Sequence, residues 1–282
     1  MERVSKNLYG KCEYLNPTGS VKDRAAAGML EAAIRDGKLS RNKEILDSSS
    51  GNTGISLAAF GASLGFKVSI VLPKSASVER QKLLKIYGAS VIYSDPMEGS
   101  DGAILLAREL VEKDPDRYFY IDQYSNDANW KAHYNGTAEE IWKQTQGRVT
   151  HFVAGVGTGG TIMGTGRKLR ELNPNVKIIA VEPDAPFHGL EGLKHIESSI
   201  KPKIFDERFP DETVFLETEI AQKTVLKLAR DQGIFVGTSS GATVTVASKI
   251  ASSDPDSTVV AILADQGSRY LSEKYLADSQ QS

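Results

Sequence analysis

Residues 150–164 read THFVAGVGTGGTIMG, and this passage from apolar to glycine-rich to apolar sequence decides the fold. The run HFVAG has the composition of a buried strand, GVGTGGT permits a tight turn, and TIMG opens a segment with helical spacing. Working outward, the same rhythm recurs in KEILD, KVSIVLP, ASVIYSD, RYFYID, VKIIAVEP and STVVAILAD, each next to an amphipathic segment. Such alternation predicts an α/β fold with largely parallel sheets and helices on both faces. The runs are almost continuously apolar, as parallel strands covered on both faces should be.

A boundary is expected near Asp127, where the first series of strands ends. It would divide the chain into two α/β domains, residues 1–126 and 127–282, with a cleft between them as the natural place for a ligand. Residues 184–213 break the rhythm, with three prolines and mixed charges. A loop of that length in a compact fold is usually functional or mobile.

The 282 residues carry 34 basic and 36 acidic side chains, a net charge of -2. That balance gives no support to a nucleic-acid or acidic-membrane partner, which calls for a basic excess. The single cysteine, Cys12, excludes an internal disulfide and a cysteine-based metal cluster, and it reads as a small half-buried hydrophobe beside a strand. Four scattered histidines, His133, His151, His188 and His195, do not have metal-site spacing, and His133 is expected to pack inside the fold. The opening MERVSKNLYG lacks a signal peptide's apolar segment and no run approaches the ~18 apolar residues of a membrane span, so a cytoplasmic location is the default.

Three loops join strand ends to helix starts. In GVGTGGT, backbone amides at a glycine-rich helix start form a nest for a phosphate. The same residues, Gly155, Gly157 and Gly160 with Glu182 about twenty residues on, also satisfy a dinucleotide fingerprint, so a nicotinamide oxidoreductase is a second hypothesis and a plain tight turn a third. In DSSSGNTG, residues 47–54, more hydroxyl and amide side chains crowd a helix start than a cap needs, which points to anion binding. In FVGTSSGAT, Ser239 and Ser240 could be simple caps. A fourth stretch, NPTGSVKDR at residues 16–24, sets Lys22 at the positive end of a helix expected over about residues 20–36, either as a solvated charge or as an amine wanted there.

Taken in order, NPTGSVKDR, SSGNTG, GVGTGGT and GTSSGA resemble the pyridoxal-phosphate enzymes of fold type II, with the tryptophan synthase β-like architecture, and within them the cysteine synthase and cystathionine β-synthase group. SVERQKLLKIYGA, QYSNDANWKAHYNGTAEEIW and DQGSRYLS extend the resemblance over nearly the whole chain. It implies that Lys22 bonds covalently to pyridoxal 5'-phosphate and serves as the catalytic base. It implies that Gly157, Thr158, Gly159, Gly160 and Thr161 hold the cofactor phosphate, that Asn52 meets the phenolic oxygen of the ring, and that Ser239 pairs with the ring nitrogen. Ser49, Ser50, Thr53 and Gln123 would bind the substrate carboxylate.

The implied reaction is β-replacement on an activated L-serine, O-acetylserine or O-phosphoserine, by sulfide or another thiol nucleophile, giving L-cysteine. A cystathionine β-synthase-type condensation of serine with homocysteine is the alternative within the family, and a catalytically silent binding protein the alternative outside it. Lys194, in HGLEGLKHIE, is either a cation facing a phosphate leaving group or a solvated lysine on a mobile loop. Relatives are commonly homodimers.

Overall fold

The computed structural model describes residues 1–49, 51–74 and 76–278. Along the chain run β1 (Glu2–Arg3), β2 (Leu8–Cys12), α1 (Lys22–Arg35), β3 (Glu44–Ser48), α2 (Asn52–Leu64), β4 (Val68–Pro73), α3 (Val78–Ile86), β5 (Ser90–Ser94), α4 (Gly99–Lys113) and β6 (Tyr118–Tyr120). They are followed by α5 (Asp127–Ala132), a π-helical turn (His133–Thr137), α6 (Ala138–Gln144), β7 (His151–Gly155), α7 (Gly160–Leu172), β8 (Lys177–Pro183), β9 (Glu212–Leu216), α8 (Thr218–Gln232), α9 (Thr238–Ser253), β10 (Val259–Leu263) and α10 (Lys274–Asp278). All seven apolar runs read from the sequence form strands. By internal packing the chain forms two compact units, one of Lys22–Ala132 and one of Met1–Val21 with the residues from His133 onward.

In the Lys22–Ala132 unit the strand order is β5-β4-β3-β6, all parallel. Alternate residues of the central strands face opposite layers. Ile45, Val68, Ile70 and Leu72 join Met29 and Leu30 of α1 and Ile55 and Leu57 of α2 on one face, while Leu46 and Val71 meet Ala103 and Ala107 of α4 on the other. Two-sided burial is why these strands read as unbroken apolar runs. After β3 the chain winds outward through β4 and β5, then returns to place β6 on the far side of β3. The winding therefore reverses between β3 and β6, and ligands of open parallel sheets bind beyond the strand ends at such a point.

The second unit has the order β1-β2-β10-β7-β8-β9, parallel except for the β1–β2 pair. Its core joins Leu8, Val153, Val181 and Leu263 of the sheet to Ala221 and Leu228 of α8 and Val244 and Ala247 of α9. Residues 1–21 belong to this unit because β2 pairs along its whole length with β10. Cys12 closes β2 as a free, half-buried thiol. The reversal here lies between β7 and β10. Residues 184–211 hold one short 3-10 turn, Ile196–Ser198, yet Leu190, Ile196, Ile204 and Phe205 are buried and pin the segment down. Among the described residues no helix is long and apolar enough to cross a membrane.

Candidate active site

At the reversal in the Lys22–Ala132 unit, three predicted residues come together. The Thr53 hydroxyl donates to Gln123 Oε1 at 2.7 Å, and Gln123 Nε2 donates to Asp47 Oδ2 at 2.9 Å and to the Ser48 carbonyl at 2.8 Å. Asn129 Nδ2 holds the Gln123 carbonyl at 2.8 Å. Ser49 Oγ accepts the backbone amides of Gly51 (3.2 Å) and Gly54 (3.0 Å), so it organises the start of α2 as a cap does. Ser50 lies outside the described residues.

Lys22 is the half-buried first residue of α1, and Asp23 beside it supplies the negative charge that suits a helix N-terminus. The Ser56 hydroxyl lies 2.5 Å from Asp23 Oδ1 and 3.0 Å from the Asn52 carbonyl, with Asp23 and Ser56 both buried. One side chain thereby ties the turn that carries Lys22 to the turn that carries Asn52.

Asp47 is a buried carboxylate that the sequence marked only as the end of a strand. Burial, then the neighbouring Asp122, holds its carboxyl well above the ordinary aspartate value of 3.8, against the pull of its bonds to Ser48 and Gln123. Tyr120 and Tyr124 are raised by burial first and by the Asp47 charge second. The region behind the α2 loop is thus dry and resists negative charge, which favours amide and hydroxyl donors over further carboxylates at its mouth.

In the other unit, the glycine loop leaves β7 and opens α7. The Val156 amide donates to Val181 at 3.0 Å, and Val156 in turn accepts the Lys194 amide at 2.8 Å. A Cβ built on Gly157 would lie 2.3 Å from the Gly192 carbonyl oxygen, so only glycine permits this approach. Gly159, at φ +85°, sits at the N-cap of α7. Thr158 Oγ1 accepts the Gly160 amide at 3.3 Å, and Thr161 Oγ1 lies 3.3 Å from His133 Nε2. The result is a positive helix end with little side-chain bulk and two hydroxyls.

Ser239 lies in the first turn of α9, whose start is fastened to the end of β10 by a 2.8 Å bond from the Ala264 amide to Ser240 Oγ. Because β10 pairs with β7, the topology puts the glycine loop and the Ser239 turn at the ends of adjacent strands. Ser239 is buried, at 6% exposure. Lys194 is buried as well, at 6% exposure, so it is not the solvated lysine of the bland alternative. Glu182 is buried at the end of β8, where it accepts the Ile196 amide at 3.3 Å and burial raises its carboxyl. It anchors the irregular segment instead of standing free for a ribose.

This donor set suits a phosphorylated aromatic ring: a glycine-lined helix N-terminus and hydroxyls for the phosphate, and the hydroxyl of a buried serine for a ring nitrogen. The chain belongs to the family described as "Pyridoxal-phosphate dependent enzyme", whose model matches residues 1–265. It is 52% identical over 275 residues to a cysteine synthase of Aquifex aeolicus (strain VF5), covering 96% of this chain and 84% of the relative. It is 38% identical over 292 residues to a cystathionine beta-synthase of Apis mellifera, covering 98% of this chain and 57% of that one. The crystal structure of O-acetyl serine sulfhydrylase isoform 3 from Entamoeba histolytica matches with a TM-score of 0.89 at 37% identity, covering 97% of this chain and 84% of that one. The fold is therefore the α/β architecture of fold-type II pyridoxal-phosphate enzymes, and the dinucleotide alternative falls.

Proposed function

We propose that the chain is a pyridoxal-phosphate-dependent cysteine synthase, replacing the β-substituent of an activated L-serine with sulfide to give L-cysteine. The observation that carries this is 52% identity to a cysteine synthase over 96% of the chain. The cystathionine β-synthase-type reaction is less favoured, since the likeness there is 38% and covers 57% of the relative.

Residues 157–161 are assigned to the cofactor phosphate, Asn52 to the phenolic oxygen and Ser239 to the ring nitrogen. The carboxylate of the serine donor is assigned to the α2 loop, with Ser49, Ser50 and Thr53. Gln123 spends both amide hydrogens on Asp47 and Ser48, so it serves that site through the loop it braces. Pyridoxal phosphate, when bound, delocalises the electron pair left on the substrate α-carbon. The Lys22 amine, neutral when it acts, takes the α-proton and later returns it. A serine facing the ring nitrogen leaves that nitrogen largely neutral, which favours prompt departure of the β-substituent. In this assignment the unit of Lys22–Ala132 carries the base and the carboxylate loop, and the other unit carries the phosphate loop. O-Acetylserine is the first candidate donor and O-phosphoserine the second, with Lys194 as the cation for a phosphate leaving group. A cytoplasmic homodimer completes the proposal.

The test is the visible spectrum of the purified protein with O-acetyl-L-serine, followed by sulfide and assay of L-cysteine. A yellow protein whose band shifts with the donor and returns with sulfide is the expected result, with turnover lost in Lys22→Ala. A yellow protein inert to every activated serine would leave the silent binding protein.

A further inference from the structure

His133 has no part in the assignments above, yet it lies where it can control one of them. It opens the π-helical turn His133–Thr137 and is 1% exposed. A π turn is a rare interruption of an α-helix, often found at functional sites. Both ring nitrogens face hydroxyls: Nδ1 is 2.9 Å from Thr137 Oγ1, and Nε2 is 3.3 Å from Thr161 Oγ1. Thr137 is fully buried, and Thr161 is the second residue of α7.

A neutral imidazole has one hydrogen to give and one lone pair to offer. If Nε2 accepted from Thr161, the only hydrogen of that hydroxyl would be spent and its lone pairs would face the anion. If Nε2–H donates to Thr161 Oγ1, the Thr161 hydrogen is left for a phosphate oxygen, and Nδ1 accepts from Thr137. An anion at the start of α7 selects the second arrangement, in which every donor points one way: Thr137 to His133, His133 to Thr161, Thr161 to phosphate. We propose that His133 is a positioning residue that fixes the Thr161 hydroxyl as a donor to the cofactor phosphate. This rests on the assignment of Thr161 to that phosphate.

The experiment compares binding of pyridoxal 5'-phosphate and of unphosphorylated pyridoxal to the full chain stripped of cofactor. His133→Leu is expected to raise the Kd for the phosphate form roughly 10- to 100-fold, the loss of one hydrogen bond to a charged group, and to leave pyridoxal unchanged. His133→Gln, which keeps an N–H at similar reach, should recover most of the affinity. Thr161→Val should show the same loss, and His133→Leu added to it should cost nothing more. Equal losses for pyridoxal and its phosphate, or additive losses in the double variant, would overturn the proposal in favour of packing. A Thr161→Val variant that binds normally would instead remove the assignment of Thr161 to the phosphate, and the proposal with it.

Discussion

Replacing Gly157 by alanine should injure this protein as much as opening a cavity in its core would. The added Cβ would stand 2.3 Å from the Gly192 carbonyl oxygen, where real contacts do not fall below 3.0 Å, so one backbone must withdraw by at least about 0.7 Å. The segment that would move carries Leu193, which packs beside Gly155, and Lys194, whose amide bond to Val156 is 2.8 Å. Stretched by that amount, the bond leaves the useful range. Overpacking and the lost bond together should cost on the order of 2–4 kcal/mol, which for a chain of this size lowers Tm by roughly 5–15 °C. Gly155→Ala is the control, because the three atoms nearest its Cβ all belong to the Leu193 side chain, which can turn aside where a carbonyl cannot. Thermal unfolding and a cofactor titration of both variants decide the matter. A Gly157→Ala protein that melts and binds pyridoxal phosphate like the parent would refute the reasoning, as would a larger loss at Gly155.

Other expectations test neighbouring parts of the site. Since the Asp47 carboxyl is raised in the folded chain, the folded state keeps its proton longer than the unfolded one, and stability drains away as pH climbs from about 4 through the raised value. Asp47→Asn keeps an oxygen for Gln123 and removes that loss, so urea unfolding at pH 5 and pH 7 should show the variant gaining on the parent; a difference constant with pH would count against it. Thr53→Val strands the buried Gln123 carbonyl and should cost about 1–3 kcal/mol of stability while raising KM for the serine donor more than it lowers kcat; unchanged steady-state constants would release Thr53 from the site. Lys194→Met should lower kcat/KM for O-phosphoserine at least about tenfold more than for O-acetylserine, the cost of a lost charge partner. Equal effects on both donors would end its role as a selector.

The parts of this structure legible in the sequence are those whose signal is local. Seven apolar runs announced seven strands, most plainly β3 and β4, which are covered on both faces. Strand β2 was not announced, since LYGKC carries a lysine. Lys11 can be buried there because Glu140, 129 positions away, meets its amine at 2.5 Å and Gln144 accepts from it at 3.2 Å. Nor was β9, a sheet edge whose ETVFL begins where an irregular segment ends. The motif residues were legible as motifs, but their supports were not. Asp47 looked like the end of a strand and His133 like packing, because the partners that give them meaning, Gln123 and Thr161, lie 76 and 28 positions further on.

The pairing of β2 with β10 also sets a timetable. Leu8–Cys12 emerges early in synthesis and Val259–Leu263 some 250 residues later, so at ordinary translation rates the first strand waits about 10–50 s for its neighbour. The contiguous Lys22–Ala132 unit has no such delay. A nascent chain would thus hold one finished unit and one open sheet, and the open edge at β2 is where chaperones would be needed most.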